Sequence, residues 1–157
     1  MKPKLYVETT IFSYLTSAPS RDLIVAAHQQ VTREWWDLRR PDFDLFVSRL
    51  VLQEAGAGDL EAAQRRLAAL RDISRLALNP EALALARDLV TRGPLPANAT
   101  EDAMHIAVAT VHGMDYLLTW NCRHIANARM RQAVALTCAL RGYDPPVICT
   151  PEELMGE

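Results

Sequence analysis

"LYVETTIF", residues 5–12, decides how the rest of this chain is read. Its first half reads as a short buried strand, Lys4–Glu8, that stops on an acid followed at once by two hydroxyls, Thr9 and Thr10. A carboxylate at the edge of a core is costly to keep charged unless something partners it. The nature of that partner bears directly on function.

Downstream the chain alternates. An amphipathic helix is expected from Arg21 to Arg40, with Ile24, His28, Val31, Trp35 and Leu38 on one face and Pro41 as its stop. Trp36 falls about 100° off that stripe and is expected to be at least partly exposed, a candidate partner contact. DLFVS (44–48) reads as a strand, with Ser48 placed to cap the helix RLVLQEA (49–55). Gly56 and Gly58 separate it from a second helix, DLEAAQRRLAALRD (59–72), and ISRLAL (73–78) reads as another strand. Asn79-Pro80 caps and opens EALALARDLV (81–90), which Gly93-Pro94 ends.

Asn98 or Thr100 then caps EDAMHIAVATVH (101–112), closed by Gly113. DYLLTW (115–120) is a strand, NARMRQAVALTCALR (127–141) a helix, and PVICT (146–150) a last strand, with Thr150 capping a short terminal helix. Strands alternating with helices predict an α/β fold. The expected architecture is a single domain over 1–157, a central parallel sheet of about five strands with helices on both faces.

Composition narrows the chemistry. The chain has 157 residues, half of them apolar and 23% charged, with a net charge of −2, which gives no support to a basic nucleic-acid stripe. Its only lysines are Lys2 and Lys4. That disfavours P-loop, Schiff-base and pyridoxal chemistry, each of which needs a placed lysine. Cys122, Cys138 and Cys149 form no CxxC pair, so buried free thiols are expected rather than disulfides or a zinc site. No apolar run approaches the ~20 residues of a membrane span, and no signal peptide opens the chain. No membrane role is expected, and the cytosol is the expected location.

Three acids stand where patterning would put apolar groups. Glu8 ends the first strand; Glu54 shares a helical face with Leu50 and Val51; Asp102 opens a helix that is apolar almost all round. Each has a plain structural reading: Glu8 paired with an arginine, Glu54 a surface acid, Asp102 a capping-type acid at the positive helix end. Taken together they suggest a cluster. Carboxylates brought close repel and raise one another's pKa, and a divalent cation with hard oxygen ligands, Mg²⁺ or Mn²⁺, relieves that. In open α/β sheets, ligands bind beyond the carboxyl ends of the strands, where Glu8 and Asn121 both lie.

YVETTIF (6–12), SRLVLQE (48–54), TEDAMHIAVA (100–109) and YLLTWNCRHIAN (116–127), in that order, resemble the PIN-domain nucleases, and most closely the VapC-type toxins of bacterial toxin–antitoxin pairs. The resemblance spans essentially the whole chain. It implies a doubly wound sheet whose acids gather one or two Mg²⁺ or Mn²⁺ ions to hydrolyse phosphodiesters in RNA. It also implies a cognate antitoxin protein and a homodimer. Glu8, Glu54 and Asp102 match the metal-holding acids, Asn121 matches the fourth catalytic position, and Thr10 matches the hydroxyl beside the first acid.

Two departures stand out. Glu8 is one methylene longer than the usual Asp, and Asn121 brings no charge. His105, three residues after Asp102, is read either as a buried hydrogen-bonded histidine or as support for Asp102. Arg123, His124, Arg129 and Arg131 are read either as a solvated helix start or as phosphate contacts. Two other functions compete with the endoribonuclease: a PIN-fold RNA- or protein-binding module with weak or no catalysis, and a metal-dependent hydrolase of small phosphates.

Overall fold

The computed structural model describes residues 1–156. Five strands form one parallel sheet: β1 (Lys4–Val7), β2 (Asp44–Ser48), β3 (Ser74–Leu76), β4 (Tyr116–Leu118) and β5 (Val147–Cys149), in the order β3-β2-β1-β4-β5. The expected α/β architecture is what the chain adopts. Central β1 is flanked on both sides, Leu5 pairing with Leu45 and with Tyr116, and Leu5, Tyr6 and Val7 are fully buried. Burial on both faces explains the unbroken apolar run.

The chain winds outward from β1 through β2 to β3, then crosses back to β4 and on to β5. Right-handed crossovers then put the first helices on one face, α1 (Thr9–Thr16), α2 (Leu23–Leu38), α3 (Arg49–Ala55) and α4 (Leu60–Leu70). The others, α5 (Pro80–Thr91), α6 (Thr100–Val111) and α7 (Arg131–Leu140), lie on the opposite face. Packing follows that division: α1 touches α2, α3 and α4, whereas α5 touches α6 and α7. The reversal of winding falls between β1 and β4, which opens a crevice at their carboxyl ends. Among the described residues, no helix is long and apolar enough to cross a membrane.

Several local expectations need correction. Helix α1 follows Glu8 directly and was not signalled by TTIFSYLT, rich in β-branched and aromatic residues of modest helix propensity. It forms because Ile11 and Phe12 bury completely beneath it. On α2 the buried side is Gln29, Thr32 and Trp35, while Ile24 and Leu38 are exposed. The two polar residues belong inside because they have partners. Gln29 donates to the Ala18 carbonyl and accepts from Ser20 N, and Thr32 Oγ1 accepts from Trp120 Nε1 at 2.7 Å.

Trp36 is half-buried as expected, edge-on to Phe12 and covered by the Arg40 guanidinium. Helix α7 begins at Arg131, and residues 127–130 form a turn. Neither Asn98 nor Thr100 caps α6, whose N-cap is Ala99 with no side-chain bond. Thr150 leads into a turn rather than a helix, its N–H donating to Glu153. The cysteines are free, but Cys122 is exposed.

Candidate functional site

Glu8 is the first residue beyond β1 and the N-cap of α1, yet its side chain caps nothing. Instead the carboxylate, 4% exposed, accepts from Thr10 Oγ1 and from Thr119 Oγ1 at 2.6 Å. Both hydroxyls donate to Oε1, so Oε2 carries neither bond. Each threonine is also fixed from behind: Trp120 N–H donates to Thr10 Oγ1, and Asn121 N–H to Thr119 Oγ1, both at 2.9 Å. The partner that keeps Glu8 at the core edge is therefore a pair of hydroxyls clamped by the chain leaving β4.

Glu54 reaches the same crevice from α3. Its Oε1 accepts from Thr9 Oγ1 at 2.5 Å and faces His105 Nε2 at 2.7 Å. Burial pushes the Glu54 carboxyl up, but hydrogen bonds from His105 and Thr9, with the field of His105, outweigh it and hold the carboxyl below its usual range. His105 is fully buried, and its Nδ1 lies 2.8 Å from the Tyr6 hydroxyl, itself 2.7 Å from Ser48 Oγ. Burial alone would lower the imidazole pKa. The Glu54 bond and the fields of Glu8, Glu54 and Asp102 overcome it and raise the value. These acids thus favour the protonated form of the ring.

Asp102, in the first turn of α6, takes different partners. Its Oδ1 accepts from Asn121 Nδ2 at 3.0 Å, and its Oδ2 lies 2.9 Å from His124 Nδ1. Asn121 is doubly used, because its Oδ1 also accepts from the backbone N–H groups of Arg123 and His124 and so fixes the turn after β4. Arg123 is exposed and contributes only its backbone to this network. Arg129 and Arg131 are exposed as well.

The expected site residues are thus brought to one edge, with two differences in detail. Of the two readings of His105, the buried hydrogen-bonded histidine is the one found: it bonds to Glu54 and Tyr6, and the alternative, support of Asp102, is corrected. The donors whose ligand atoms lie within 4.8 Å of one another are Glu8, Glu54 and His105, and Asp102 does not join that trio. Two carboxylates and an imidazole at such spacing are compatible with a divalent cation, provided that the ring is neutral and turns a nitrogen from its hydrogen bond to the ion. Sequence reasoning missed the roles of Thr9, Thr119 and Tyr6. Only the hydroxyl following each strand end was a usable signal.

No protein-family model matches this chain, and no curated protein matches it. Among solved structures, it is similar to a chain of the VapBC2 complex from Rickettsia felis, bound to a DNA fragment from their promoter. That match has a TM-score of 0.59 at 14% identity and covers 94% of this chain and 98% of that one. It is also similar to VapC20 of Mycobacterium tuberculosis, a sarcin-ricin loop cleaving toxin, with a TM-score of 0.56 at 18% identity over 72% of this chain and 86% of that one. At these identities the likeness is one of fold.

Proposed function

We propose that this chain, built on the fold of those VapC structures, is a divalent-metal-dependent endoribonuclease, the toxin half of a pair neutralised by a cognate antitoxin protein. The observation that carries the reading is convergence. Glu8, Glu54 and Asp102 come from separate segments to the carboxyl edge where the winding reverses, and their partners there are hydroxyls, imidazoles and an amide. Glu8, Glu54 and His105 are the residues spaced to hold Mn²⁺ or Mg²⁺, with Asp102 as a further anion beside them. When bound, one or two such ions would lower the pKa of an attacking water and offset charge on the scissile phosphate.

The chain's own residues do the rest. Thr10 and Thr119 keep Glu8 in one orientation, and Asn121 aims Asp102 while pinning the turn that carries Arg123 and His124. Exposed Arg123 and partly exposed His124, beside Asp102, would be the contacts for a flanking phosphate. A second reading has its own support: the Glu54 oxygen in the trio already has two hydrogen-bond partners, Thr9 and His105, without an ion, as a binding module without catalysis would need.

RNA cleavage by the purified chain in Mg²⁺ or Mn²⁺ separates the two. Cutting that EDTA stops and Glu54→Gln removes supports the nuclease; RNA bound but uncut in both metals supports the module. Mononucleotides that compete fully with RNA would point to a small-phosphate hydrolase.

A further inference from the structure

Beside the acids lies a group of rings that the cleavage chemistry does not use. Trp120, the residue before Asn121, stacks face to face with His28 of α2, their centroids 4.0 Å apart and their planes 11° from parallel. Tyr14 of α1 joins them at 6.1 Å from Trp120 and 6.2 Å from His28, tilted by less than 30° from either. Trp120 is buried and locked through its Nε1–H to Thr32. Tyr14 and His28 are only partly covered, and neither the Tyr14 hydroxyl nor a His28 ring nitrogen makes a hydrogen bond among the described residues.

The stack is joined to the acids. Thr10 donates to Glu8 and accepts from Trp120 N–H, and Tyr14 stands four residues after Thr10 on the same face of α1. About one helical turn, a rise of about 5.4 Å along the axis, therefore separates Thr10 from the partly exposed Tyr14 on that face.

We propose that Tyr14 and His28, backed by Trp120, form a stacking subsite for an unpaired nucleobase next to the phosphate at the acids. This rests on the RNA reading above and adds to it the side chains that would hold a base beside the acids. Flat, nearly parallel rings with one buried backing member suit a base of any identity, since every base has a π face. A duplex, whose bases are already stacked on each other, gains nothing there.

The test is binding in Ca²⁺, without cleavage, of a single-stranded oligoribonucleotide carrying 2-aminopurine and of the same strand in a duplex. Wild type is expected to favour the single strand and to quench 2-aminopurine placed beside the bound phosphate. Tyr14→Ala should weaken single-strand binding roughly tenfold with duplex binding unchanged, and Tyr14→Phe should restore it. Equal affinity of folded Tyr14→Ala and wild type, or no quenching at any position of a saturated strand, overturns the stacking subsite while leaving the nuclease reading standing. Failure of wild type to bind either RNA overturns both.

Discussion

His105 Nε2 lies 2.7 Å from Glu54 Oε1, in a position where the imidazole is wholly buried and its other nitrogen faces the Tyr6 hydroxyl. A proton on that ring ties α6 to α3 across the end of the sheet.

The pair makes metal-free stability depend on pH on both sides. The raised His105 pKa adds stability that is complete below its ordinary value of about 6.5 and is lost as pH rises through the folded value. The lowered Glu54 pKa adds stability that is complete above about 4.3 and is lost as pH falls through the folded value. Thermal melts in EDTA should therefore peak between those limits. His105→Gln should lower the peak by about 1–3 kcal/mol, Glu54 being partly exposed, and flatten the alkaline limb. An unchanged alkaline limb would remove His105 as the titrating group.

Divalent ions should replace that proton. Mn²⁺ at a hundredfold excess over its dissociation constant should add about 2.7 kcal/mol of stability, and Mg²⁺ less at equal concentration because one donor is an imidazole. Melting curves with each ion, for wild type and Glu8→Gln, check this. Equal shifts in the variant would place the ions elsewhere.

Thr10 bridges two segments, and its loss is measurable. Thr10→Val deprives Glu8 of a donor and Trp120 N–H of its acceptor, at a cost of about 1–3 kcal/mol in urea unfolding. Thr10→Ser should recover most of it. If both variants unfold alike, the methyl group rather than the hydroxyl matters.

Asn121 gives the most discriminating substitution. Asn121→Asp keeps the acceptor for the Arg123 and His124 backbones but sets a second carboxylate against Asp102. In EDTA it should be less stable by about 1–2 kcal/mol, and it should gain more from Mn²⁺ than wild type does. A variant as stable as wild type in EDTA would mean that the two side chains separate freely.

Much of this was legible from residue patterns, for identifiable reasons. Central β1 was readable because a parallel strand buried on both faces is an unbroken apolar run, and Asn79-Pro80 caps α5 through Asn79 Oδ1 as its chemistry requires. Periodicity failed on α2 because Gln29 and Thr32 are buried by partners distant in sequence, Ala18 and Trp120, which no local pattern records. The same blindness affected His105. Helical spacing offered Asp102 as its neighbour, but its partners arrive from β1 and α3. Three misplaced acids could be flagged one by one. That Asp102 is tied to Asn121 and His124, leaving His105 beside Glu8 and Glu54, depends on how β4 and α6 meet.

Calorimetric titration of Mn²⁺ into wild type and Glu54→Gln tests the metal centre most directly. Saturable binding by wild type that is lost or weakened at least about tenfold in the variant, which needs ~1.4 kcal/mol from the carboxylate, is the expected result. Identical heats from the two proteins, or none from wild type, would contradict a divalent ion held among these acids.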